Sequence, residues 1–245
     1  MNDREMHSER GQRAALASSR SGRSPAGPSV LRTMFDLGLV PALLCSALGL
    51  GLIVARWMYT GQPAWLFLVW NLLLAWVPWC VAVPLAAIPS RRWEGWKLAP
   101  LFCTWLVFLP NAPYLVTDLL HLRARPGVPL WFDSALLFVF AWTGCLLGFL
   151  SLTAVHARFE AWLGRAAGWI FVGAVSLLTG FGIYLGRFPR WNSWDVVTRP
   201  EQLVADVVDP LMNPTAHPRT FGVTFLFSLL MIAGYAAFAG RRRCV

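Results

Sequence analysis

Charge is scarce in this chain. Only 13% of its 245 residues are Asp, Glu, Lys or Arg, while 57% are hydrophobic. A soluble domain carries about 25% charged residues, so that class is excluded. Paired cysteines are missing as well. The five Cys are an odd number with no CxxC or Cys/His spacing, which argues against a disulfide framework and against a zinc site. Cys45, Cys80, Cys103 and Cys145 fall inside apolar runs and read as small apolar residues. There is no GxGxxG, P-loop or HExxH, and neither Ser151 nor Ser193 has a Gly-x-Ser-x-Gly setting. No metal and no cofactor is expected. Internal repeats and heptad seams are absent. His156 and His217 have no partner at useful spacing and are expected to be solvated loop residues.

What the chain has is apolar length. Six runs approach the roughly 20 residues that cross a bilayer: 35–55, 64–88, 98–109 with a polar extension, 134–155, 167–186 and 221–240. Fourteen Trp fit the belts where indole anchors helices at headgroup level. The net charge of +9 sits in short basic runs between the apolar ones, a pattern of membrane topology, so nucleic acid is not expected as a partner. The expected fold class is all-α: a polytopic membrane protein of about six transmembrane helices with a broken third helix. Run three is too short to span alone and is interrupted by Pro110 and Pro113, which lack amide donors and disfavour helix before them. It is either a kinked helix continuing through Leu122 or a half-helix meeting a short second helix opened by Pro113.

Residues 1–33 are expected to form a disordered basic tail, 34–240 the membrane domain with an outer loop at 187–220, and 241–245 a second basic tail. A short helix is expected within that loop, around 201–208. With the N-terminus inside, the inner segments hold 14 of the 21 lysines and arginines and the outer ones 7, which predicts cytoplasmic termini.

Two polar stretches interrupt this apolar chain: LPNAPYLVTDLLHL at 109–122 and GFGIYLGRFPRWNSWD at 180–195. Runs three and five share a direction, so both stretches lie at the outer face, with Asn71 about two turns deep from that face. The catalytic candidates are Asp118 and His121; the ligand-binding candidates are Asn71, Asn111, Tyr114, Tyr184, Arg187, Arg190, Asn192 and Asp195. Thr117 keeps them company. Tyr114, Asp118 and His121 have i,i+4 and i,i+3 spacing and share a helix face. An Asp one turn from a His can orient an imidazole base, or the pair can simply hold a helix end at the interface. Two metal ligands without a third are not a site. Arg187 and Arg190 suit a phosphate or carboxylate held bidentately, or they snorkel to headgroups and pair with Asp118 and Asp195. Gly180, Gly182 and Gly186 suit close helix packing. Trp191 and Trp194 suit interfacial anchoring, and Ser193 could N-cap a short helix.

These stretches, with WNLLLAWVPW at 70–79, resemble the bacterial membrane family catalogued as domain of unknown function 1361. The resemblance covers about 35–240. Its pattern falls on Asn71, Pro110, Asn111, Pro113, Tyr114, Thr117, Asp118, His121, Gly182, Tyr184, Arg187, Arg190, Trp191, Asn192, Ser193 and Asp195. Pro189 departs from it. The resemblance implies a multi-pass protein of a bacterial cytoplasmic (inner) membrane and no particular activity. Three functions are therefore weighed. The first is binding of an anionic lipid headgroup or an envelope protein, with membrane lipids as the surroundings. The second is an enzyme acting on a lipid or lipid-linked substrate, with His121 and Asp118 as acid and base. The third is a small-solute transporter, disfavoured because no run carries charge near its middle.

Overall fold

The computed structural model describes residues 30–88, 95–125 and 127–242. The described residues are helical, with no strand among them. A short α1 (Val30–Asp36) turns at Gly38, whose φ of 74° is left-handed, into α2 (Leu39–Thr60). Then come α3 (Leu66–Ala87), α4 (Gly95–Phe108), a single turn α5 (Asn111–Tyr114) and a 3-10 segment (Leu115–His121). The long α6 (Leu130–Leu163) leads to α7 (Arg165–Arg187), and a loop carries α8 (Asp195–Thr198) and α9 (Pro200–Met212) before α10 (Pro218–Arg242). Six stretches are long and apolar enough to cross a membrane: Leu39–Thr60, Leu66–Ala87, Leu98–His121, Leu130–Leu163, Arg165–Arg187 and Pro218–Gly240. This is an all-α polytopic membrane protein.

The tail expected to be unstructured lies outside the described residues up to position 29, as do the last three residues of the chain. Residues 30–33, assigned to that tail from sequence, instead begin α1: Thr33 is buried, and the Trp79 indole donates to the Leu37 carbonyl at 3.0 Å.

The centre of the bundle is α6. Buried residues make up 61% of its most apolar window, against 22–39% in the other five spans. Small residues let neighbours approach it, which matters in lipid because packing rather than water exclusion drives helix association. A Cβ on Gly144 would collide with the Ala112 carbonyl and lie 2.8 Å from the Leu115 side chain, so the broken part of the third span rests directly on α6. From the other side Gly182 of α7 admits Pro110, where a Cβ would sit 2.5 Å from the ring. Aromatics fill the remaining space: Phe159 and Phe171 stack at 3.9 Å between ring centres, with Phe102 and Trp105 beside them.

His156 corrects the sequence expectation. The helix α6 continues eight residues beyond the predicted end at 155, so His156 is buried rather than solvated. Its Nδ1 lies 2.8 Å from the Tyr235 hydroxyl, and its ring packs edge-on to Trp169. His217 is paired as well, with Nε2 2.9 Å from Asp209.

Candidate functional site

Prolines at 110 and 113 break the third span, and the orphaned carbonyls dictate what surrounds the break. Backbone groups at membrane depth need partners from protein or water. Ala112 turns back to the Leu109 carbonyl at 3.1 Å, a tighter bond than the helical one that Pro113 cannot donate. The Asn111 amide donates to the Phe108 carbonyl at 3.0 Å and to the Ser193 hydroxyl at 2.9 Å. Ser193 in turn donates to the Val107 carbonyl at 3.2 Å. The loop after α7 is thereby tied into the break. Ser193 does not cap a helix, contrary to expectation: α8 begins at Asp195 with no side-chain cap.

Beyond the break the chain stays wound as a 3-10 helix for seven residues, longer than usual for that conformation. Its three-residue turn stacks side chains at i and i+3, which sets Asp118 directly under His121. The Asp118 carboxylate is buried, with 1% of the residue exposed. Three elements converge on it. Asn71 of α3 donates to Oδ2 at 2.9 Å, Arg187 at the end of α7 approaches Oδ1 at 3.5 Å, and His121 Nδ1 lies 3.8 Å from Oδ1. The same Nδ1 is 3.4 Å from Arg187 Nη2 and 3.3 Å from the Asp118 carbonyl. Phe67 packs on the imidazole at 5.2 Å.

After Arg187 the chain reverses sharply. Trp191 donates its amide to the Leu185 carbonyl at 3.0 Å, which forces Arg190 to a φ of 65°. A left-handed arginine costs about 1–2 kcal/mol, and such strain clusters at functional positions. Asp195 organises the turn: it accepts the Asn192 amide at 2.8 Å, the Thr198 hydroxyl at 3.2 Å and Arg199 at 2.9 Å. The Asn192 amide above all, then Arg199 and Thr198, hold its carboxyl below the usual carboxylate range. The Trp191 indole donates to Asp206 at 2.7 Å while Arg199 lies over its ring at 4.8 Å, which pins α9 across the mouth.

Two adjoining cavities result. A polar one of about 460 Å³ is walled by Phe67, Asp118, His121, Arg187 and Arg190. A more apolar one of about 360 Å³ runs between α3, α4, α7 and α9. Asn71, Tyr114, Gly186 and Asn192 line both. Among the described residues, no three His, Cys, Asp or Glu are grouped as metal ligands.

A family model described as Protein of unknown function (DUF1361) matches residues 70–233. The chain belongs to that family. No curated protein and no solved structure matches it. The DUF1361 region opens at Trp70, one residue before Asn71, and takes in both polar stretches, the apolar cavity, the polar cavity apart from Phe67, and α9. It leaves α1 and α2 outside.

Within the DUF1361 region the sequence-derived candidates divide. Asn71, Tyr114, Asp118, His121, Arg187, Arg190 and Asn192 line the polar cavity, and Asn111 lines the apolar one. Tyr184 lines neither; it stacks on Phe188 at 5.4 Å and Phe181 at 6.2 Å. Asp195 is buried inside its own turn, and Thr117 bonds back to the Tyr114 carbonyl at 2.7 Å. Sequence reasoning missed Arg56 and Asp133, a buried bidentate pair at the same end of the bundle, 2.7 and 3.2 Å apart. Trp65 also donates to Asp133, at 3.2 Å. The available signal was position: each charge lies at the edge of an apolar run, Arg56 at the end of the first and Asp133 at the start of the fourth. Phe67 and the α9 residues Leu203 and Val207 were missed too, since nothing in an apolar side chain marks it as a wall.

Proposed function

We propose that this protein binds an anionic group, a lipid headgroup or an envelope partner, in the polar cavity. We further propose that the cavity opens at the outer face of a bacterial cytoplasmic membrane, with both termini cytoplasmic. One observation carries the binding reading: two arginines enter one cavity and only one is balanced. Asp118 lies 3.5 Å from Arg187, whereas among the described residues Arg190 makes no ion pair and is exposed. The cavity thus holds an excess of positive charge beside two amide side chains, the environment a phosphate or carboxylate recognises bidentately. Arginine and lysine placement supports the orientation.

Native mass spectrometry of the gently purified protein, beside an Asp118→Ala/Arg187→Ala variant, tests this. An anionic mass retained by the parent and lost from the variant is the expected result. A folded parent that retains no anion, with Arg187→Ala unchanged in every ligand screen, refutes it.

An enzymatic reading has an observation of its own. Asp118, His121, Arg187 and Arg190 wall the same cavity, so an anion held by the arginines would lie beside an imidazole whose Nδ1 is 3.8 Å from the Asp118 carboxylate. In that reading His121 takes a proton from an attacking hydroxyl or water, and the arginines stabilise charge on the substrate. Turnover of a bound lipid phosphate by the parent, abolished in His121→Gln with binding intact, distinguishes it from pure binding.

A further inference from the structure

We infer that the ligand is a long-chain lipid phosphate, whose phosphate lies in the polar cavity while a hydrocarbon chain occupies the apolar chamber beside it. This deepens the binding reading and rests on it. The two spaces adjoin at Asn71, Tyr114, Gly186 and Asn192, which line both, so the head and tail of one molecule would lie side by side across these residues. The chamber also opens sideways. Its lining residues Trp70, Leu178 and Val196 are 55%, 51% and 42% exposed, and the first two lie within membrane spans. A chamber whose rim is lipid-facing surface admits a chain from the bilayer without exposing it to water.

The roof fits the same occupant. Leu203 and Val207 of α9 point into the chamber at i,i+4 spacing. Val204, Val208, Leu211 and Met212 of that helix are exposed, and Glu201, Asp206 and Asp209 lie among them in sequence. A helix with apolar residues on the chamber side and on its outer face suits a position at the membrane interface. Trp191 and Asp206 fasten it at 2.7 Å. The cationic cavity and the apolar chamber thus suit a headgroup and its chain, and α9 covers the chamber. A soluble phosphate ester would leave the chamber unused.

The test uses the full chain in detergent micelles and four probes: dioleoyl phosphatidic acid, dioleoyl phosphatidylcholine, glycerol 3-phosphate and inorganic phosphate. Phosphatidic acid is expected to bind at least tenfold more tightly than glycerol 3-phosphate. Leu203→Trp/Val207→Trp, which fills the chamber and leaves the arginines untouched, should remove that preference without changing the weak phosphate binding. A phosphatidic acid carrying a mid-chain diazirine provides a readout independent of any variant. Adducts on the peptides holding Leu106, Leu203 or Val207 support the chamber; adducts confined to the outward faces of α2 and α3 overturn it. Equal affinity for phosphatidic acid and glycerol 3-phosphate also overturns the chain site while leaving anion binding intact. Failure of all four probes sinks both. Binding of phosphatidylcholine as tight as that of phosphatidic acid overturns a terminal phosphate monoester as the recognised head group, since both lipids offer an anionic phosphate.

Discussion

Removing the Asp133 carboxylate should destabilise the protein far more than removing the pair it belongs to. Arg56 lies in the last turns of α2 and Asp133 in the first turn of α6, and their side chains are 4% and 2% exposed. Both guanidinium contacts, at 2.7 and 3.2 Å, are charge-assisted, and the Trp65 indole adds a third bond to the carboxylate. Arg125 stacks on Trp65 at 4.3 Å. An exposed ion pair contributes about 0–1 kcal/mol, but burying one partner alone costs about 3–5 kcal/mol. Burial decides which figure applies. Asp133→Ala should therefore cost about 3–5 kcal/mol, a large part of the roughly 5–15 kcal/mol that stabilises a domain. Arg56→Met/Asp133→Leu, which leaves no unpaired charge, should recover most of it, giving a coupling of at least about 2 kcal/mol. Arg32 and Asp36 supply the contrast: at 3.9 Å and more than two-thirds exposed on both sides, Asp36→Ala should change stability by less than about 0.5 kcal/mol. The assay is reversible SDS unfolding of the detergent-solubilised protein, followed by circular dichroism. Equal losses in the single and double variants, or a coupling below about 0.5 kcal/mol, would refute the argument that the pair is desolvated.

Arg190→Gly separates strain from binding. Relief of the left-handed φ of 65° is partly offset by glycine's larger unfolded-state entropy, so stability should hold or rise by up to about 1 kcal/mol while anion affinity falls; a loss of both in parallel contradicts the assignment. Asp195, whose carboxyl is held low chiefly by the Asn192 amide, stabilises its turn above the unfolded-state value of about 3.9 and ceases to as pH falls through the still lower folded value. Hydrogen exchange over 190–200, labelled at several pH values and corrected for intrinsic rates, should therefore loosen only in acid, and Asp195→Asn should erase that dependence. Gly182→Ala drives a Cβ to 2.5 Å from the Pro110 ring and should cost about 1–3 kcal/mol by overpacking; an unchanged unfolding midpoint would show that the two elements part without penalty.

Sequence reads membrane crossing well because hydropathy is a local property: 64–88 and 167–186 correspond closely to α3 and α7, whereas 35–55 straddles the turn at Gly38 and stops five residues short of the end of α2. It reads the ends of spans badly. Asp133 falls one residue outside the run that begins at Ser134, and Arg56 one residue beyond Ala55. Whether such a charge ends a helix or enters it depends on a partner 77 residues away in the chain. His156 fails for the same reason: Trp169 and Tyr235, which bury it, arrive on α7 and α10. The break in the third span was legible from Pro110 and Pro113, but its repair was not, since Asn111 finds Ser193 across 82 residues. Asn71, Asp118 and Arg187 stood out because polar residues in apolar surroundings are locally anomalous. Tyr184 stood out for that reason too, yet it falls off the stripe formed by Leu178, Phe181, Gly182 and Leu185 that faces the chamber.

In the enzymatic reading proposed above, the histidine in the polar cavity would link binding to chemistry. His121 Nδ1 can donate a proton or offer a lone pair, never both. Its neighbours ask for opposite things: the Asp118 carbonyl, at 3.3 Å, accepts, whereas Arg187 Nη2, at 3.4 Å, donates. With the proton on Nδ1 the imidazole is tied to the 3-10 segment and Arg187 is pushed toward the cavity. With the lone pair on Nδ1 the arginine holds it, and a base at that atom is masked. An anion that draws the Arg187 guanidinium toward itself removes the only one of the two neighbours that occupies the lone pair. In the enzymatic reading, ligand capture and exposure of a base would be the same movement, made against a buried carboxylate that Asn71 keeps in place at 2.9 Å.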